Sequence, residues 1–154
     1  TVVKTGAETQ VLSGALAFRG SLSVEAGILD LNGATLSGVT NIVIKNGAAL
    51  TGAATVNNAL TVTFETGGMY SASLAVGGTL TVTGPVKLAV PEGATYPYYN
   101  TLFTFTSADQ NTRAALLAAI TPSPVPTGHA AVVRVTDTAA RLTIASVGTA
   151  LSIR

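Results

Sequence analysis

The 154-residue sequence contains no cysteine, a single histidine, and only eight basic and seven acidic side chains. The missing cysteines rule out disulfides, thiolate metal sites and cysteine nucleophiles together. A lone His129 builds no ordinary zinc site, and no G-x-S-x-G elbow supplies a nucleophile for it to activate. Loops of the G-x-G-x-x-G or G-x-x-x-x-G-K type, which cradle phosphates, are absent as well. Charged residues make up 10 % of the chain and the net charge is +1. That balance leaves no electrostatic footprint for nucleic acid or an anionic membrane. Long apolar runs are also lacking. Mean hydropathy is +0.51, yet Gly, Ser, Thr or Asn interrupts every apolar stretch within a few residues, so membrane insertion is not expected. The length suits one domain, residues 1–154.

What the chain does have is a period. SLSVEAG (21–27), NIVIKNG (41–47) and TVTFETG (61–67) recur every 20 residues, each with apolar residues at the second and fourth places, a charge at the fifth and glycine at the seventh. The alternating pairs Leu22/Val24, Ile42/Ile44, Val62/Phe64 and Leu80/Val82 mark strands with one buried face. Smaller echoes at Leu12-Ser13-Gly14, Leu36-Ser37-Gly38 and Leu50-Thr51-Gly52 suggest a second strand per repeat. Short strands at a constant interval of this length predict an all-β parallel solenoid, a β-helix of about 20-residue rungs. One rung cannot bury its own apolar face, whereas rungs stacked about 4.8 Å apart align like residues into a continuous core. Gly27, Gly47 and Gly67 are expected to stack at one corner.

The fifth place predicts a charge ladder. Extending the register back by 21 residues sets Lys4 above Glu25, Lys45 and Glu65, with alternating signs. Exposed pairs of this kind contribute about 0.2 to 1 kcal/mol each and act mainly on register.

After Gly84 the pattern changes. Strands are predicted at 86–90 and 101–106, and ADQNTRAALLAAI reads as one short helix with Ser107 or Asp109 as N-cap. TPSPVPTGH (121–129) carries three prolines and is a loop or an edge crossing. Residues 132–144 form a hairpin around Asp137-Thr138, and a final short strand follows. Residues 1–84 are thus solenoid rungs, and residues 85–154 the C-terminal rungs and a β-rich cap containing the helix.

The apolar-x-apolar-x-x-Gly strands of residues 21–84, with TYPYYNTLFTFTSA, the Pro-rich turn and the closing RLTIASVGTALSIR, resemble the autotransporter-associated β-strand repeat proteins of bacteria. The resemblance implies a passenger-type β-helix on the cell surface. No leader-like segment opens the sequence at Thr1, so any signal peptide is expected to have been removed. The chain is either a piece of a longer passenger or a small subunit. A cysteine-free, lysine-poor composition rich in Thr, Ser, Gly and Ala agrees with a secreted, extracellular or cell-surface location.

Candidate chemistry is thin. Glu25 and Glu65 stand two rungs, about 10 Å, apart, just beyond the spacing of roughly 6.5–9.5 Å used by inverting glycosidases. Lys45 between them would hold both ionised, which is wrong for a general acid. No acidic cluster suits Ca²⁺. No catalytic, metal or cofactor residues are assigned, and the chain is not read as an enzyme. Tyr96, Tyr98 and Tyr99 offer a contact for surface glycans or a partner, whereas the alternation of TLFTFT sends Phe103 and Phe105 into the core. The expectation is a non-enzymatic structural protein, a surface spacer, adhesin or filament subunit. It would assemble with itself head to tail through sparsely guarded ends, Val2 and Val3 at one and Leu151 and Ile153 at the other. The alternative is a β-helix that binds or degrades polysaccharide.

Overall fold

In the computed structural model, described over residues 1–90, 93–122 and 125–148, the chain winds into stacked coils with one strand on each of three faces. The first coil is β1 (Val2–Lys4), β2 (Thr9–Val11) and the opening of β3 (Ala15–Val24), whose second half already begins the next coil. β4 (Ile28–Asp30) and the opening of β5 (Ala34–Ile44) complete the second. The end of β5, β6 (Ala49–Thr51) and β7 (Ala53–Val56) make the third, and β8 (Leu60–Phe64), β9 (Met69–Tyr70) and β10 (Ser73–Val76) the fourth. β11 (Leu80–Thr83) and β12 (Val86–Leu88) start a fifth.

Every pairing between these coils is parallel. On face one Val2, Leu22, Ile42, Val62 and Val82 stand in register, an interval of 20 residues at each step. Face two aligns Gln10, Leu29, Leu50, Tyr70 and Leu88. Face three aligns Leu16, Leu36, Val56 and Val76. The three Leu-x-Gly echoes in the sequence are therefore not equivalent, since Leu36 belongs to face three and Leu50 to face two. Side chains alternate along each strand, so every second residue enters the shared interior. Ile42, Ile44, Val62, Leu36, Val56 and Leu50 are fully buried there, each contributing about 1.5–3 kcal/mol relative to exposure.

The corners carry the special backbone. Gly27, Gly47 and Gly67 follow face one with φ of 67°, 75° and 93°, a region in which other L-residues are strained. At Gly27 a Cβ would stand 2.5 Å from the carbonyl oxygens of Gly6 and Ala7 in the coil above, so glycine also permits the close stacking. At the corner between faces three and one, the Asn58 amide donates to the Val39 carbonyl at 2.7 Å while its Oδ1 accepts from the Gly38 N–H at 3.2 Å. One side chain thus satisfies two backbone groups of the neighbouring coil where the ladder lapses.

The last third of the chain ends the stack. β13 (Tyr98–Thr104) adds in parallel to β10 through Leu74↔Phe103 and Ala75↔Thr104. The predicted helix is α1 (Gln110–Ala119), capped by Asp109, whose carboxylate accepts from the Thr112 N–H at 2.8 Å. It packs against β11, where face one would otherwise continue, and turns Leu116 inward. β14 (Ile120–Pro122) pairs with β12 at the end of face two, so the proline-rich segment does supply an edge strand. β15 (His129–Val135) and β16 (Ala139–Ser146) form the hairpin around Asp137-Thr138, and β16 lies antiparallel on β13. The strand expected at 86–90 is shorter, Val86–Leu88. The one expected at 101–106 begins earlier, at Tyr98, because β16 offers partners as far as Tyr98↔Ile144.

Tyr70 joins coils to cap. Fully buried, it stacks on Phe103 at 4.9 Å between ring centroids, meets Phe64 edge-on at 5.6 Å and donates its hydroxyl proton to the Leu102 carbonyl at 2.8 Å. Burial pushes its phenol well above the usual tyrosine range, so it remains a neutral donor.

Candidate functional site

The predicted charge ladder forms in part. Glu25, Lys45 and Glu65 occupy equivalent places just past face one, their N–H groups donating to the carbonyls of Lys4, Val24 and Ile44. Lys45 and Glu65 pair at 2.6 Å, and Glu65 also accepts from the Asn46 N–H at 3.4 Å. The hydrogen bond from Lys45 lowers the Glu65 carboxyl, and the same bond raises the lysine. Glu65 is therefore held as an anion and has no proton to give near neutral pH. Lys4 requires a correction. The coil interval is 20 and not 21 here, so Lys4 aligns with buried Val24 and not with Glu25. Its ammonium donates to the carbonyls of Thr5, Gly6 and Ala26 at 2.6–2.9 Å. A cation placed at a core position cannot remain inside, and it bends out to the corner where three carbonyls replace its water.

The two ends of the stack differ. At the first coil Val2, Val3 and Val11 are 42 %, 47 % and 49 % exposed. Among the described residues β1 pairs only with β3 and β2 only with β4, so one edge of each has no described partner. A shallow depression there is lined by Val2, Lys4, Gln10, Leu12, Leu22 and Leu29, with Lys4 and Gln10 in columns that are apolar in the coils below. The end is thus apolar with two polar residues set into it, and less bare than alternation alone implies. At the other end α1, β14 and the β15–β16 hairpin cover the core. Leu151 and Ile153, proposed from sequence as the second half of a head-to-tail contact, lie outside the described residues.

The three tyrosines do not make one platform. Tyr96 is half-buried and tilted against the His129 ring at 4.1 Å between centroids. Tyr98 leans on the core, where burial raises its phenol. Tyr99, its neighbour on the strand, points the other way and is 69 % exposed. Around Tyr99 the cap sheet places residues that alternation in the sequence did not single out. Its cross-strand partner on β16 is Thr143, which faces Val132 on β15. In the next outward row Thr101, Arg141 and Arg134 stand side by side, both arginines exposed. A turn centred between Asp137 and Thr138 already implies this pairing, because residues 134 and 141 are equidistant from it.

Among the described residues no group of three or more His, Asp or Glu side chains could hold a metal ion, and no helix is long and apolar enough to cross a membrane. No protein-family model matches the chain, and no curated protein or solved structure matches it.

Proposed function

We propose that this chain is a secreted, non-enzymatic structural protein: a short surface solenoid that associates with a second copy of itself through its first coil. The observation that carries the reading is the inequality of the ends. Among the described residues, three exposed valines lie together at the first coil beside the open edges of β1 and β2, while at the last one a helix and a hairpin cover the apolar core and the open edges are those of β14 and β15. Open edges are templates for pairing with another chain. Head-to-tail growth needs two complementary ends, whereas one adhesive end can only meet its own copy and closes as a two-fold pair. In this reading the first coil favours a two-fold pair over the filament expected from the sequence. The composition and the passenger-like strand pattern support a location outside the cell.

Sedimentation equilibrium tests the reading. A dimer at tens of micromolar that becomes monomeric on Val3→Lys and on Val11→Lys is the expected result. A wild-type chain that stays monomeric across that range, or dimers that both substitutions leave intact, would overturn it.

A further inference from the structure

The sequence offers His129 no nucleophile elbow, but the cap hairpin brings it a serine. β15 and β16 set His129 directly opposite Ser146. The Val147 N–H donates to the Gly128 carbonyl at 2.7 Å, a bond that brackets the pair and makes it the non-hydrogen-bonded kind, in which facing side chains come closest. Ser146 Oγ stands 3.4 Å from His129 Nε2, and His129 Nδ1 stands 3.3 Å from the Thr127 carbonyl oxygen. A carbonyl oxygen only accepts, so in the neutral ring these partners assign the proton to Nδ1 and leave the Nε2 lone pair facing the serine hydroxyl. That is the tautomer a general base requires. Tyr96 holds the ring from one side at 4.1 Å between centroids, and the His129 N–H donates to the Pro126 carbonyl at 3.1 Å.

The surroundings suit an acyl group. Ser146 continues the core-side row of β16, two residues past buried Ile144. In the row beside the pair Ala131 faces Ile144 and Ile144 faces Tyr98, and both Ala131 and Tyr98 pack partly buried against the core. Ser146 itself is exposed and His129 half-buried. In a non-hydrogen-bonded pair the Ser146 N–H turns away from β15, toward the side where β13, whose ladder reaches only to Tyr98↔Ile144, no longer supplies a strand partner. A hydroxyl, its base, an orienting carbonyl and a backbone donor therefore meet at the rim of an apolar surface.

We propose that Ser146 is a self-acylation site, which, activated by His129, takes the acyl group of an activated carboxylic ester. Ser146 Oγ bonds to the acyl carbon as its proton passes to His129 Nε2, the bond from that carbon to the leaving oxygen breaks, and the imidazolium returns the proton to the leaving oxygen. The Ser146 N–H meets the carbonyl oxygen while it carries negative charge, and Ala131 and Tyr98 receive the apolar part of the acyl group. The product is a chain esterified at Ser146, a covalent attachment point on a structural protein. It does not rest on the dimer reading, whose residues Val3 and Val11 lie in the first coil.

Incubation with p-nitrophenyl acetate, followed by peptide mapping with fragment-ion assignment of the acetylated residues, tests it. Ser146 is expected to acetylate about tenfold or more faster than Ser13 and Ser107, two exposed serines of the same chain, and to lose that lead in urea. His129→Phe, which keeps a ring against Tyr96, and His129→Gln should each bring Ser146 down to the rate of Ser13. Ser146→Ala should remove the burst of p-nitrophenolate. Equal labelling of Ser146 and Ser13 in the native wild type overturns the proposal without recourse to any variant. A lead for Ser146 that survives in urea or in both His129 variants overturns it as well, and a full burst from Ser146→Ala would make the imidazole, and not the serine, the nucleophile. The Val3→Lys variant, monomeric or not, should acetylate at Ser146 like wild type, so that failure of either reading leaves the other standing.

Discussion

The first coil and the last are closed against solvent by different means. At the first, the parallel ladder simply begins, with Val2 and Val3 exposed and Lys4 bent away to corner carbonyls. At the last, chain direction reverses in β16, a helix replaces the strand on face one, and Tyr70 and Phe103 tie the added layer to the coils below. Repetition is economical to encode but cannot end itself, because each rung offers the same unpaired edge as the one before. Stopping it takes residues outside the repeat.

The comparison breaks most directly at Phe103. Phe103→Ala should cost about 3–5 kcal/mol in urea denaturation, since it empties the contact between cap and coils. Val2→Ala at the opposite end should stay within about 0.5 kcal/mol, and similar losses at the two positions would refute the asymmetry. A smaller effect is expected at the corner beneath the first coil. Gly27→Ala forces a side chain into positive φ and against Gly6 and Ala7, at about 2 kcal/mol. Amide exchange in β1 should then accelerate ahead of exchange in β8, whereas uniform acceleration would mean that the first coil is not a separate unit.

Asp109→Ala removes the N-cap of α1 and should lower Tm by a few degrees, with little change at the first coil. The hydrogen bond from the Thr112 N–H holds the Asp109 carboxyl below its ordinary value. Its contribution is therefore present above about pH 3.9, the unfolded aspartate pKa, and is lost as pH falls through the lowered folded value. The smallest effect belongs to the exposed Lys45–Glu65 pair. Glu65 is depressed and Lys45 raised, so any contribution is confined between the ordinary glutamate pKa near ~4.3 and the ordinary lysine pKa near ~10.4. It fades as pH falls through the folded Glu65 value and as it rises through the folded Lys45 value. Lys45→Ala should scarcely move Tm at pH 7; a loss as large as that of Phe103→Ala would show that the ladder, and not the core, holds the coils in register.

Much of the stack was legible in the sequence because its signals are local and repeated. Alternation at Leu22/Val24 and Ile42/Ile44 states which side is buried, and the glycines at 27, 47 and 67 state where the backbone turns. The third face was harder to read. Its residues continue directly from β3 and β5 across a bend, so Leu36 and Leu50 resemble one another in sequence while lying on different faces. Lys4 was misplaced by one residue because a lysine in an inward column contradicts the pattern and invites a compensating shift of register. Tyr70 gave no sign of its role, since its partners Phe103 and Leu102 lie 33 and 32 residues further along the chain.

The sequence by itself determined the period, the inward columns, the corner glycines and the short helix, with its cap left between Ser107 and Asp109, all set by neighbours a few residues apart or by one interval repeated. Only the tertiary structure decided that β16 lies antiparallel on β13, that α1 covers face one, and that Arg134, Arg141 and Tyr99 share one outward surface. Those placements depend on which strand edge and which apolar row remain unpaired once the coils have stacked, a property of the assembled stack that no local stretch encodes.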